Sequence, residues 1–568
     1  MSPAVVLPAV LAGVLATYWP ALSAGALYMD DKFYIGNPLI RHPSWAAVRR
    51  IFGEVLAPSM VNGYYQPLSL LSVMLDFLDP AAQGGLLPFH RTTLLLHMLN
   101  VALVVVLLRV LFGNWLVGGL LGLLYGVHPL NADAVLWIAE RKTVLSGGFA
   151  FGSMLLYVGY VRHAERVGRA DWKRYGASLL LYVCALLSKP TALPLVALLL
   201  VLDYWPLQRL SRRTLLEKVP FVVVAGLSAV VTIVSQARAG QGGGTQVMNP
   251  LYLPLVMGYC LGLYLRKTVW PTSLASDYAG PQPFGPTNIE VLATVGGVLL
   301  VLAAILLSVR RTRAWLAGGL FFFVAILPTL GIIRFTSSIA SNRSMYLPMV
   351  GLLLPLAWGL GRLWNRELGA LKASSVRLIL LGVGATLALG SARATRHYES
   401  HWSDSVTLVR YYLTLTPNDW KLHTRLGNEW IRRRDYEAAI VAFREAARLK
   451  PGWAENHLNL GRALFTVGNL AEAKQAFALA LRQAPSDWRA HMLLGIALSR
   501  QNDLEGALRE FRTASQIVPG NPVARHNVAS TLARQEKWEE AAQEYRHTLR
   551  LDPNNGDARR ALEEIGSR

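Results

Sequence analysis

Five prolines, Pro417, Pro451, Pro485, Pro519 and Pro553, stand 34 residues apart in the last third of this 568-residue chain, and that period constrains the fold more than any other feature. Small pairs recur inside the intervals at Leu426-Gly427, Leu460-Gly461 and Leu494-Gly495, weakening to Val528-Ala529. An alanine follows at Ala439, Ala473, Ala507 and Ala541, then an aromatic at Phe443, Phe477, Phe511 and Tyr545, then Ala446, Ala480 and Ala514 ahead of the next proline. Small residues let two helices approach, the aromatic fills the gap between units, and proline ends the second helix. The spacing predicts paired antiparallel helices stacked as an α-solenoid.

This is the tetratricopeptide pattern. It predicts four repeats over about 420–553, a polar-faced closing helix over Ala558–Ile565 and an incomplete leading helix over Asp404–Leu413. Such arrays hold peptides or protein partners on a concave face; a structural or dimerising role is the alternative reading.

The preceding residues have a different character. Mean hydropathy is +0.33 overall and only 16% of residues are charged, against about 25% in soluble domains. The formal charge of +21 is concentrated before residue 397, which holds 32 Lys+Arg against 14 Asp+Glu. In a soluble chain that balance would point to nucleic acid; beside apolar runs, retention of basic loops on the cytoplasmic side accounts for it, and no nucleic-acid partner is expected. Cys184 and Cys260 lie in apolar runs, so neither a disulfide framework nor a metal cluster is implied.

The domains are therefore read as 1–396, a polytopic helical membrane domain, and 397–568, the repeat domain. Apolar runs that suit spans cover Pro3–Leu27, Phe89–Phe112, Trp115–Val127, Val144–Val161, Tyr175–Ser188, Thr191–Pro206, Val219–Ser235, Val291–Val309, Ala314–Ile333, Met345–Leu363 and Leu378–Ser391. A further run, Leu251–Leu265, begins after Asn249-Pro250 and ends at Arg266-Lys267, and is read as re-entrant or interfacial. Basic clusters around Arg162–Arg174, Arg209–Lys218, Arg310–Arg313 and Arg362–Arg377 place eleven crossings with a cytoplasmic N-terminus and the repeats outside, as in a bacterial inner membrane. The first run lacks a basic leader and a small-residue cleavage site, so it reads as a retained span.

With that orientation, polar residues that loops do not explain fall on the outer side: Asp30-Asp31, His128, Asp133, Glu140, Arg141, Lys142, Lys189, Arg238, Asp277-Tyr278, Arg334 and Arg343. Ionisable groups at membrane depth are costly and are usually paired or functional. Cations there suit the phosphate of a membrane-held lipid, and a carboxylate suits proton removal from an attacking hydroxyl. Together they fit sugar transfer from a lipid phosphate. Plainer readings stand beside these: a cap at Asp30-Asp31 or His128, an interfacial Glu140-Arg141 pair, a snorkelling Lys189, a headgroup anchor at Arg266-Lys267 and interhelical pairing of Asp76 and His97.

These residues sit in segments that resemble the transmembrane and tetratricopeptide-repeat O-mannosyltransferases of eukaryotes and their bacterial relatives. The matching pieces are Met29-Asp30-Asp31, Tyr65-Gln66-Pro67-Leu68, His128-Pro129-Leu130-Asn131-Ala132-Asp133-Ala134-Val135 running into Glu140-Arg141-Lys142, Ser188-Lys189-Pro190, Ser276-Asp277-Tyr278 and Arg343-Ser344-Met345-Tyr346-Leu347-Pro348. Gln66, Asn342 and Pro190 depart from the family pattern. The resemblance implies an all-α, C-type glycosyltransferase-like membrane domain followed by the repeats. It further implies an inverting hexosyltransferase that moves mannose or a similar sugar from a polyprenyl-phosphate donor to an acceptor hydroxyl. Asp30 would be the base and Asp31 its support; Arg141, Lys189 and Arg343 would hold the donor phosphate, with His128, Asp133, Glu140 and Asp277 supporting them. The implied partners are membrane lipid, lipid-linked sugar and a protein or peptide acceptor on the repeats; no cofactor is specified beyond the donor, and nothing in the sequence specifies a divalent metal. A non-catalytic membrane-anchored scaffold for envelope proteins is the alternative, set against the many apolar runs, since an anchor needs one.

Overall fold

The computed structural model describes residues 2–61, 63–239, 250–330, 339–364, 366–367 and 372–567. The chain forms two compact units, Met1–Asp404 and Ser405–Arg568. The first extends eight residues beyond the expected boundary at Arg396, because the apolar helix Ala373–Ser400 runs on unbroken and the 3-10 turn His401–Ser403 buries Trp402 in the same unit. Among the described residues there are helices and turns, and the one β-bridge joins Tyr278 to Ala340.

The first unit is an integral membrane domain. Six of its helical segments are long and apolar enough to cross a bilayer: Pro3–Ser23, Leu87–Phe112, Ile138–Val167, Arg212–Arg238, Ile289–Ser308 and Ala373–Ser403. A hydrocarbon phase offers the backbone no partner, so these segments bond within themselves. Other expected crossings are shorter apolar helices, among them Trp115–Val127, Pro190–Tyr204 and Met349–Leu363. Ala314–Ile333 is helical over Ala314–Ile326, and its last residues, with Arg334, fall outside the described residues. The run expected to be re-entrant contains one continuous helix, Leu253–Val269. Pro254 does not break it, because it occupies the first turn, where its missing N–H is no loss.

Glycines set the helix spacing. Gly118, Gly122 and Gly126 recur every fourth residue, and with Gly119 they bring Trp115–Val127 against its neighbours. A Cβ at Gly122 would lie 2.2 Å from Val105, and one at Gly126 would lie 2.6 Å from Val14. Small-residue seams of this kind replace the hydrophobic drive that lipid cannot supply. Leu87–Phe112 carries a buried polar row at helical spacing, His90, Thr93, His97 and Asn100. His97 meets the Tyr346 hydroxyl at 2.8 Å and the Gly126 carbonyl at 2.9 Å, while Asn100 donates to the Val144 carbonyl at 2.7 Å. His97 thus pairs between helices, the plainer of its two readings. The row ties this helix to Val144 and Tyr346, each within four residues of a member of the site described below.

The second unit is the predicted repeat array. Four helix pairs run from Trp420–Arg432 and Tyr436–Leu449 to Pro522–Arg534 and Trp538–Leu551, after a leading helix Ser405–Leu415 and before a closing helix Gly556–Gly566. Each proline falls two residues beyond a helix end. Histidines add a clamp in the first three repeats: His423, His457 and His491 bond through Nε2 to the carbonyls of Pro417, Pro451 and Pro485 at 2.8, 2.8 and 3.0 Å. The small-plus-aromatic code is literal, since a Cβ on Gly461 would lie 2.5 Å from the Phe477 ring. Overpacking costs about 1–3 kcal/mol, more than the helical gain of about 1 kcal/mol from Gly to Ala. Gly461→Ala should therefore weaken Ala454–Thr466 and Leu470–Gln483 by about 1–2 kcal/mol, read as faster amide exchange in those helices of the intact protein.

Candidate functional site

Glu140 is the centre of the site. It ends the 3-10 turn Ile138–Glu140, directly ahead of the helix Arg141–Val167, and its side chain is buried. Three cations converge on it, Lys142 from the next turn and Lys189 and Arg343 from distant parts of the chain. Lys142 Nζ lies 3.4 Å from Oε1, Arg343 Nε 3.2 Å from Oε1, and Lys189 Nζ 3.0 Å from Oε2. The Thr143 hydroxyl donates to Oε2 and accepts from Lys189 Nζ at 2.7 Å. Each cation keeps a little exposure, 13–17% of the side chain.

Local structure explains how they meet. Lys189 is the residue at which the helix Trp172–Ser188 stops, because Pro190 cannot continue it. Arg343 lies in the short turn Asn342–Met345, held by donation to the Ser276 carbonyl at 3.0 Å and by Asp277 at 3.2 Å. Its guanidinium stacks over Trp137 at 4.8 Å from the ring centre. Burial pulls the Lys189 ammonium down to about 8, with Glu140 opposing the fall.

The paired acids divide. Asp30 is half-exposed, makes no capping hydrogen bond, and has Lys142 Nζ at 3.8 Å. Asp31 is buried and accepts two backbone N–H groups, from Tyr28 at 2.7 Å and from Ala139 at 2.8 Å. Burial raises its carboxyl to about 7 and those two bonds restrain the rise. Asp31 therefore ties the Asp30 loop to the residue that precedes Glu140. Beside them the buried Tyr34 ring lies 5.8 Å from Lys142 Nζ and its hydroxyl accepts from Gln66 at 2.6 Å.

Of the nine residues singled out, the structure gathers Asp30, Glu140, Lys189, Arg343 and Asp277, with Asp31 beneath. Asp133 lies within electrostatic reach of Arg343 and accepts from the Tyr398 hydroxyl at 2.6 Å; burial raises it to about 6. His128 caps Pro129–Asn131, accepting from Leu130 N at 3.2 Å, and its other nitrogen meets the Thr268 carbonyl at 3.0 Å. Burial lowers it to about 4, so it is a neutral structural group.

Arg141 is a correction. It points away from the cluster into a buried pair with Asp76, and donates further to the carbonyls of Ser72 and Phe89 and to the Thr93 hydroxyl. Four of its five N–H groups are spent inside the protein and its side chain is 1% exposed, which turns it away from a phosphate in the cluster. Lys142, one position on, is the basic residue of the two that faces Glu140. The sequence signal for the exchange was Asp76, an acid ending an apolar helix, which the plainer reading already paired between helices.

A family model described as "Tetratricopeptide repeat" matches residues 458–522. Protein O-mannosyl-transferase Tmtc1 of Drosophila melanogaster is 22% identical over 550 residues, covering 78% of this chain and 61% of that protein. Protein O-mannosyl-transferase TMTC3 of Mus musculus is 22% identical over 488 residues, covering 79% and 51%. The Drosophila melanogaster Tmtc2 protein is 31% identical over a shorter 185 residues, 31% of this chain and 19% of that one. The chain thus spans between about half and three-fifths of the length of the first two. Among solved structures, MamA is 18% identical with a TM-score of 0.26, covering 27% of this chain and 90% of that one. YrrB, "a TPR protein with an unusual peptide-binding site", is 19% identical with a TM-score of 0.27, covering 32% and 91%. The family that the motifs resemble is the one in which these relatives fall: the chain is similar to TMTC protein O-mannosyl-transferases over 78% and 79% of its length.

Proposed function

We propose that the chain transfers a hexose, mannose or a close analogue, from a polyprenyl-phosphate donor to an acceptor hydroxyl at the outer face of a bacterial inner membrane. The observation that carries this reading is the convergence of Lys142, Lys189 and Arg343 on one carboxylate beside the half-exposed Asp30. Glu140, Asp277 and Asp30 balance the three cations before the donor arrives, and a donor phosphate would take hydrogen bonds from the same three side chains. Glu140 keeps them apart and aimed, so that little reorganisation is needed when the donor arrives.

In the reaction, Asp30 takes the proton of the acceptor hydroxyl as the new bond forms at the anomeric carbon. The bond from that carbon to the phosphate oxygen breaks, and its electron pair stays on the polyprenyl phosphate, held by the three cations. Attack opposite the leaving group inverts the anomeric centre. Confinement away from bulk water strengthens each of these charge contacts. The repeat unit would hold the acceptor or a partner and raise its concentration near the membrane.

The test is transfer by the purified full-length protein of labelled mannose from polyprenyl-phosphate mannose to hydroxyls of its host's envelope proteins. Label on protein supports the reading. Absence of transfer, with envelope proteins retained on the repeats, overturns it in favour of the scaffold. Removing one charged hydrogen-bonding partner costs about 1.5–3 kcal/mol, so Lys189→Ala should raise the donor KM about 10- to 100-fold. Because Lys189 is charged only below about 8, wild-type donor affinity should fall as pH rises through that value. Lys189→Arg should bind donor with less pH dependence over the same range, read from KM between pH 6.5 and 9.

A further inference from the structure

The last apolar helix, Ala373–Ser400, presents exposed side chains along much of its length, including Leu378, Ile379, Val383, Leu387 and Leu389. Near its C-terminal end this surface changes character. Arg393 lies four residues after Leu389, Arg396 and His397 lie three and four after Arg393, and Ser400 lies four after Arg396, which places them on one face. With Ala392 they line a groove of about 670 Å³. Arg396 donates to the Ala16 carbonyl at 2.5 Å, which fixes its guanidinium beside the first helix. Glu399, three residues from Arg396, is buried and interacts with it electrostatically, and no ion pair joins Arg393 to a carboxylate among the described residues.

Two features say what this row faces. The leucines below it require hydrocarbon, so the cations sit where a bilayer changes to headgroups. The same helix already has Lys372 and Arg377 at its other end. Retention of basic residues on one side of the membrane therefore explains only one of the two ends, and the second needs an anion. The row is also turned away from the reaction cluster. Tyr398 and Thr395, on the opposite face of the helix, are the residues that reach inward, to Asp133 Oδ1 at 2.6 Å and to the Val127 carbonyl at 2.7 Å. A donor held on the outward row could not present its sugar to Asp30. A structural lipid could lie there, its phosphate on the arginines and an acyl chain along Leu389 and the open surface at Gly382, where a Cβ meets nothing within 4 Å.

We propose that Arg393, Arg396 and His397 bind the phosphate of an anionic phospholipid at the membrane face that carries the reaction cluster. The full-length protein is reconstituted in phosphatidylcholine bilayers containing a minor fraction of phosphatidylglycerol, extracted into mild detergent, and weighed intact with whatever lipid it keeps. One phosphatidylglycerol should be retained selectively. A juxtamembrane basic residue contributes about fivefold to anionic-lipid binding, so Arg393→Gln should lower retention about fivefold and the Arg393→Gln/Arg396→Gln double variant about 25-fold. The Arg393 side chain makes no hydrogen bond or ion pair among the described residues, so the single variant keeps the test decisive even where the double one fails to fold. Undiminished retention in the single variant overturns the proposal. So does displacement of the phosphatidylglycerol by equimolar polyprenyl phosphate, which would name the donor's carrier as the occupant.

Discussion

Asp30→Asn should leave a folded, donor-binding protein that transfers about 10²- to 10⁴-fold less sugar, the loss expected when a positioned base is removed. The expectation follows from what Asp30 does not do. It caps no helix, it is half-exposed, and its charged neighbour Lys142 remains tethered to Glu140 without it. Asp31→Asn should behave differently, although the change is chemically the same. Its two oxygens each receive a backbone N–H, and an amide offers one acceptor and turns its own NH2 against the other donor. The cost is about 1–3 kcal/mol for a buried group left unsatisfied. Thermal unfolding in detergent should therefore separate the two variants. Asp30→Asn should melt with wild type and be inactive; Asp31→Asn should melt lower and lose transfer in proportion to the folded fraction. A stable, active Asp30→Asn would remove that residue from the reaction.

The repeats were legible in the sequence because their contacts are local. Gly427 meets Phe443 and Gly461 meets Phe477 within one 34-residue unit, so spacing along the chain is spacing in the fold. The apolar helices were legible for a similar reason, since crossing hydrocarbon needs only a run of residues. Their lengths were less so: a run of apolar residues does not show where a helix stops. His128-Pro129 ends one at Val127, and Pro254 fails to end another. The site was legible as a set of residue types and not as an arrangement. Glu140, Arg141 and Lys142 are consecutive, and at a helix start neighbours point about 100° apart. One faces the cations, the next faces Asp76, and the third faces Asp30. Which does which depends on partners 48 or more residues away, and no local pattern carries that information.

The Arg141–Asp76 pair gives the second large effect and separates structure from chemistry. Both side chains are almost fully buried, 1% and 6% exposed. Asp76→Ala strands a guanidinium among the helices Pro67–Asp76, Leu87–Phe112 and Arg141–Val167, and breaking a buried pair from one side costs about 3–5 kcal/mol. The variant should lose most of its folded, detergent-extractable protein. Arg141→Met should do the same, leaving Asp76 and the carbonyls of Ser72 and Phe89 without their donor. Replacing both at once, Asp76→Leu with Arg141→Met, removes the stranded charge and should restore much of the folded yield, because apolar side chains of similar volume substitute well for a buried pair. The folded double variant should also transfer sugar at close to the wild-type rate per molecule, since Lys142, Lys189 and Arg343 are untouched. A double variant that folds and binds donor at least tenfold more weakly would return Arg141 to the phosphate site. Size-exclusion yield and single-turnover transfer, measured on the same preparation, distinguish the two outcomes.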